Sequence, residues 1–155
     1  MGELTKGEYN FSKDLAKGIE GEEAIIRYMQ NLGFTFVDKC DDNRYDFSML
    51  YNGVVYTYEL KTDMYCSRDS DTGNIVIEVE SRGRQSGISV TQSDFFVTYF
   101  PHLGEIWNIK TSELRDIIRN NNLPLKEGKG DPGSNTKFYL IKKEKYKQNF
   151  KVHYV

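Results

Sequence analysis

Residues 44–61 read RYDFSMLYNGVVYTYELK, and the Asn52-Gly53 pair at their centre decides how the segment folds. A two-residue Asn-Gly loop between runs of β-forming residues is the strongest short-range hairpin signal in a sequence. With Asn52 and Gly53 as the loop, Tyr51 pairs with Val54 and Leu50 with Val55. Five steps from the closing pair, Asp46 falls opposite Glu59 in a non-hydrogen-bonded pair, with Cβ atoms about 4.5–5 Å apart. Like charges placed so repel and cost stability. A divalent cation between them reverses the sign of that interaction. Lys61 follows Glu59 by two and projects from the same face of its strand.

The two faces of the ribbon differ. Tyr45, Phe47, Met49, Tyr51, Val54, Tyr56, Tyr58 and Leu60 share the side expected to pack. Asp46, Ser48, Leu50, Val55, Thr57, Glu59 and Lys61 share the other, apolar near the turn and polar at the far end. A bulge or a one-residue slip breaks the pairing of the acids.

The 155-residue chain as a whole sets the context. An apolar fraction of 38% supplies one core, and 28% charged residues suit a soluble protein. No apolar run reaches the roughly 18 residues of a membrane span, and the polar start from Met1 to Asn10 is no signal peptide. Cys40 and Cys66 match no zinc spacing, so two reduced thiols and a cytoplasmic setting are expected. The net charge of −2 hides an asymmetry. Eight lysines stand against Glu127, Asp131 and Glu144 in 126–155, a segment at +5 that leaves −7 for the rest. Such a tail supplies phosphate contacts or is a solvated strand and loop, and charge does not choose.

Along the chain, Phe11–Leu32 reads as a helix with Leu15, Ile19, Ile25, Ile26, Met29 and Leu32 near one stripe, and with a break or close approach at Gly18 and Gly21. Strands are expected at 34–38, 44–51, 54–61, 75–80, 95–100, 105–109 and 138–141, with a helical turn near Val90–Asp94. Thr111 or Ser112 caps a second helix reaching Asn121. Lys126–Asn135, rich in glycine, is expected to be a mobile loop.

At these residues the chain resembles the PD-(D/E)XK nuclease superfamily. Arg44-Tyr45-Asp46-Phe47 stands in place of the first acidic motif, without its proline, and Glu59-Leu60-Lys61 matches the E-x-K element. E-x-K alone recurs in many strands; the joint pattern over residues 15–120, with an upstream glutamate-bearing helix, carries the resemblance. Members often carry an irregularity near the first acid. The stretch Ser86-Gly87-Ile88-Ser89-Val90-Thr91-Gln92-Ser93-Asp94 further resembles phage and bacterial relatives grouped near Holliday junction resolvases.

The resemblance implies an α/β, restriction-endonuclease-like fold: a central mixed four- to five-stranded sheet with flanking helices, one domain over 1–155 with a basic segment at 126–155. It implies Asp46 and Glu59 as metal ligands, the Leu60 carbonyl as a third, and Lys61 orienting the attacking water or stabilising phosphate charge. Among Glu20, Glu22 and Glu23, helical spacing selects Glu22 as the helix acid, because Ile25, Ile26 and Met29 lie three, four and seven residues on. Gln92 resembles a glutamine that some branches place near the site. Mg²⁺ is the expected cofactor, with Mn²⁺ substituting, since it prefers oxygen ligands and retained waters. The implied activity is DNA endonuclease, resolvase-like and structure-selective, in a homodimer that makes two symmetric cuts.

Other residues are weighed beside these. Arg82 and Arg84 grip phosphates with Ser86 and Thr91, or belong to a solvated loop. Glu78 and Glu80 read as an exposed strand face, and Tyr45, Tyr56, Tyr58, Tyr65 and Tyr99 as half-buried sheet residues. His102 and His153 stand isolated. The rival readings are a catalytically silent nuclease-fold binder of nucleic acid or protein, and a restriction or nicking enzyme with sequence preference.

Overall fold

The computed structural model describes residues 6–129 and 135–155, with side chains described for 18–128 and 135–155. At the Asn52-Gly53 turn, φ is 49° and 78°, the double left-handed geometry that a two-residue hairpin of this type requires. The ribbon is therefore built as expected: β2 (Phe47–Tyr51) and β3 (Val54–Thr62) pair from Tyr51↔Val54 down to Phe47↔Tyr58.

Around this ribbon lies a mixed sheet ordered β1-β2-β3-β6-β7-β10, with β1 (Thr35–Lys39), β6 (Phe95–Phe100), β7 (Glu105–Lys110) and β10 (Lys151–Tyr154). Only β3 and β6 run parallel within it. A second, antiparallel sheet has the order β5-β4-β9-β8, from β4 (Asn74–Ser81), β5 (Arg84–Gln85), β8 (Lys126–Lys129) and β9 (Asn135–Lys142). The mixed α/β architecture with flanking helices agrees with the sequence, but the main sheet has six strands rather than four or five. The added strand, β10, covers an edge of β7 that would otherwise expose unpaired backbone groups.

Alternating side chains place two cores on the two faces of the main sheet. Phe47, Met49, Tyr58, Leu60, Val97 and Ile106 pack beneath Ile25, Ile26 and Met29 of α1 (Lys6–Asn31). Phe96, Phe100, Trp107 and Ile109 face Ile75, Ile77 and Ile141 of the second sheet, with Leu114 and Ile117 of α2 (Thr111–Asn120). Helix α1 runs unbroken through Gly18 and Gly21, so no break occurs there. Gly21 is instead a close approach: a Cβ there would collide with Thr62 Oγ1 and stand 3.1 Å from Thr62 Cβ. Helix and sheet meet between Gly21 and Met29, which leaves Ile19 and Leu32 of the expected stripe 43% and 49% exposed. Leu15 lies outside the described side chains.

Three further expectations change. Helix α2 is capped at Lys110 with no side-chain bond, because the buried Thr111 hydroxyl is held 3.0 Å from Ser93 Oγ. The segment expected to loop from Lys126 to Asn135 begins as strand β8; Gly128 leaves room for the Phe138 ring across the pair, and 130–134 lie outside the described residues. The helical turn expected at Val90–Asp94 is a 3₁₀ turn at Gly87–Ser89, closed by Val90 and followed by irregular chain to Asp94.

Candidate active site

The ribbon ends irregularly at its polar end, and that irregularity builds the site. The Asp46 N–H donates to Tyr58 O at 2.9 Å, although Tyr58 is already paired with Phe47. Two residues facing one is the arrangement of a β-bulge. The ladder therefore stops one step short of the expected Asp46–Glu59 pair. Asp46 is anchored instead by its side chain, whose Oδ2 accepts the Leu60 N–H at 2.7 Å.

Glu59 is fixed from the other side. Its Oε2 accepts the Thr91 hydroxyl at 3.2 Å, and that hydroxyl also lies 3.2 Å from the Arg44 carbonyl and 3.0 Å from Ser93 Oγ. Burial pushes the Glu59 carboxyl up to about 7 from an ordinary 4.5, and the neighbouring charges of Asp46 and Glu22 add to it. Lys61 and the Thr91 bond pull the other way. Asp46 is raised by burial, opposed by the Leu60 N–H and Lys61. Glu22 is raised by burial and then by Asp46, with Lys39 opposing.

Glu22, Asp46, Leu60 and Lys61 line one cavity of about 520 Å³, with Gly18, Met64 and Tyr65 at its sides. Helix α1 thus delivers its glutamate to the open end of the ribbon. Among the described residues no three His, Cys, Asp or Glu side chains close into a ready-made metal cage. What the cavity offers is carboxylate oxygen without thiol or imidazole, with space for water. That donor set suits a hard cation such as Mg²⁺, which keeps several waters.

Lys61 Nζ lies 3.5 Å from Glu78 Oε2 on β4. The expected exposed face of Glu78 and Glu80 is therefore corrected: both are half-buried, Glu78 meeting Lys61 and Glu80 holding Lys137 of the neighbouring strand at 3.1 Å. Alternation of acids with Ile75, Ile77 and Val79 gave no hint of it, because a solvated face has the same pattern.

The expected phosphate contacts divide. Thr91 is 2% exposed, so it orients Glu59 and does not reach a phosphate directly. Ser86 Oγ is likewise buried. Arg82 and Arg84 are exposed on the β4–β5 hairpin, with Arg82 at φ 52° in its turn. Gln92 donates its N–H to the Arg44 carbonyl at 2.7 Å, while its exposed side chain is not among the groups lining the cavity. The basic tail is partly consumed inside the fold. Lys143 is buried, 3.1 Å from Glu105 and 3.8 Å from Asp71, with its Nζ 3.9 Å from the Phe100 ring centroid.

No protein-family model matches the chain, and no curated protein matches it. A solved structure does. The bacterial homing endonuclease I-Ssp6803I superposes with a TM-score of 0.50 at 17% identity, over 81% of this chain and 76% of that one. The chain shares an endonuclease's fold. At that identity the likeness speaks for the architecture, and the chemistry has to be argued from the acids, the lysine and the cavity. No described helix is long and apolar enough to cross a membrane.

Proposed function

We propose that this protein is a Mg²⁺-dependent DNA endonuclease of the PD-(D/E)XK kind, with Mn²⁺ able to substitute. The observation that carries the reading is the cavity lined by Glu22, Asp46 and Lys61, with Glu59 close enough that its carboxyl, like that of Glu22, is raised by burial and then by the charge of Asp46. Three mutually repelling carboxylates are an unfavourable way to fill a cleft. A bound cation removes that cost.

Asp46 and Glu59 would hold the metal, with the Leu60 carbonyl as a third ligand and Glu22 beside them. When bound, it would supply an acidified water and offset charge on the phosphate. The residues do the positioning. The Leu60 N–H fixes Asp46 through Oδ2 and leaves Oδ1 for ligation. Thr91 aims Glu59. Lys61 holds the attacking water or a non-bridging oxygen, so its charge acts where negative charge grows in the transition state. Arg82, in the turn that follows β4, meets a neighbouring phosphate of the same DNA. Gln92 and the exposed lysines of 126–155 are outer contacts of this kind. Symmetric cutting of a branched substrate, in the cytoplasm, calls for a homodimer.

The test incubates a four-way junction, a continuous duplex and a single strand with the protein in Mg²⁺, Mn²⁺ or EDTA. Metal-dependent cleavage, reduced about a hundredfold or more by Lys61→Ala and lost in Asp46→Asn, supports the reading. Preference for the junction selects the resolvase-like form, and cutting of duplex alone selects an endonuclease of continuous DNA. Binding without a cut in any metal selects the silent binder. Cleavage that survives both substitutions ends the assignment.

A further inference from the structure

The most exposed large hydrophobic side chain among the described residues, Tyr65 at 87%, stands on the rim of the acidic cavity. It belongs to no sheet, so it is not one of the half-buried strand tyrosines expected from the sequence. Its backbone is held on both sides. Asp63 donates its N–H to Tyr99 O at 2.8 Å, continuing the line of β3 along β6. The Asp63 carboxylate then accepts the N–H groups of Tyr65 at 2.9 Å and Cys66 at 3.1 Å, and the Cys66 side chain is buried in the core. The chain is thus tied down immediately before and after a ring that remains in water.

The ring's neighbours say what it is placed to meet. Tyr65 lines the cavity with Asp46 and Lys61, and it also lines an adjoining depression of about 310 Å³ with Lys61, Glu78 and Thr98. Lys61 lies in both. Gly18, which also lines the cavity, presents no side chain, and a Cβ there would meet nothing within 4 Å. A phosphate over Lys61 therefore brings the nucleoside attached to it alongside the tyrosine. Every base offers a flat π-face, so such contact is tolerant of sequence. A base inside a continuous duplex has both faces covered by its neighbours. Only an unstacked base has a face to give.

We propose that Tyr65 stacks against an unpaired nucleobase flanking the phosphate held over Lys61, so that DNA with an unpaired nucleotide is preferred to continuous duplex. This rests on the endonuclease reading above and names its substrate class.

The test uses the full chain with Ca²⁺ in place of Mg²⁺, a continuous duplex, and the same duplex carrying one bulged 2-aminopurine. Wild type and Tyr65→Phe bind the bulged duplex about tenfold more tightly than the continuous one and quench 2-aminopurine emission. In Tyr65→Ala the affinity ratio falls to about one and the quenching is lost. Tyr65→Ala that keeps the ratio and the quenching overturns the proposal. A parallel cleavage assay in Mg²⁺ with Lys61→Ala separates the two readings. Lys61-dependent cleavage without a preference for the bulge overturns stacking alone, whereas failure to bind or cut any DNA overturns both.

Discussion

The ammonium of Lys61 and the carboxylate of Glu78 lie 3.5 Å apart, and this ion pair joins the E-x-K strand of the main sheet to the second sheet. Lys61 is 40% exposed and Glu78 23%, so the pair contributes little to stability. Its role is to hold Lys61 over the rim of the acidic cavity. Glu78→Gln is expected to change unfolding free energy by less than about 1 kcal/mol. The same substitution should lower kcat about tenfold, a smaller loss than that of Lys61→Ala. Single-turnover cleavage and urea unfolding of the two variants measure both quantities.

Glu59 gives the metal-free protein a characteristic pH response. Its folded-state pKa, about 7, lies above the ordinary 4.5, so the folded form holds the proton more tightly across that window. Stability is then full below about pH 4.5 for this group and falls as pH rises through 7. The upward shifts of Asp46 and Glu22 act in the same direction. Thermal unfolding in EDTA should show Tm declining from pH 5 to pH 8. Glu59→Gln should flatten the decline, and Mg²⁺ should raise Tm most at the alkaline end, where it binds the ionised form.

Gly21 is where α1 touches β3 at Thr62. Gly21→Ala forces a methyl group against the β-branched Thr62, which has little rotamer freedom to yield. The expected cost is about 1–3 kcal/mol by denaturant unfolding. Combining it with Thr62→Ala removes the colliding oxygen and should recover most of the loss. Because Glu22 is the next residue, the single variant should also lose cleavage activity that the double variant regains.

Lys143 tests how much of the basic tail is available to DNA. Its ammonium is enclosed by Glu105, Asp71 and the Phe100 ring. Lys143→Met strands the Glu105 carboxylate, to which the Trp107 indole N–H still donates at 2.8 Å, and should cost about 3–5 kcal/mol of stability. Salt dependence of DNA binding, measured below the unfolding temperature, should be unchanged. A reduced salt slope would place this lysine on a phosphate instead.

The parts of the site that were legible in the sequence are local. Asn52-Gly53 set the register of β2 and β3 because few residue pairs tolerate that turn, and the register carried Asp46 and Glu59 to one end. Helical spacing singled out Glu22, which lines the cavity, because Ile25, Ile26 and Met29 fix which way α1 faces. What stayed hidden depends on contacts distant in sequence. Thr91 has the composition of a loop hydroxyl, and only its burial beside Glu59 shows its role. Glu78 alternates with isoleucine as a solvated strand would, and the fold of one sheet against another brings it to Lys61. Strand β10 spans four residues, too few for alternation to announce it.

The central claim is that Asp46 and Glu59 bind a hard cation beside Lys61. Crystals soaked in Mn²⁺ and measured at its absorption edge test this most directly. The account predicts an anomalous peak bridging the two carboxylates, absent in Asp46→Asn crystals. A peak elsewhere, or none in a crystal whose acids are ionised, would contradict it.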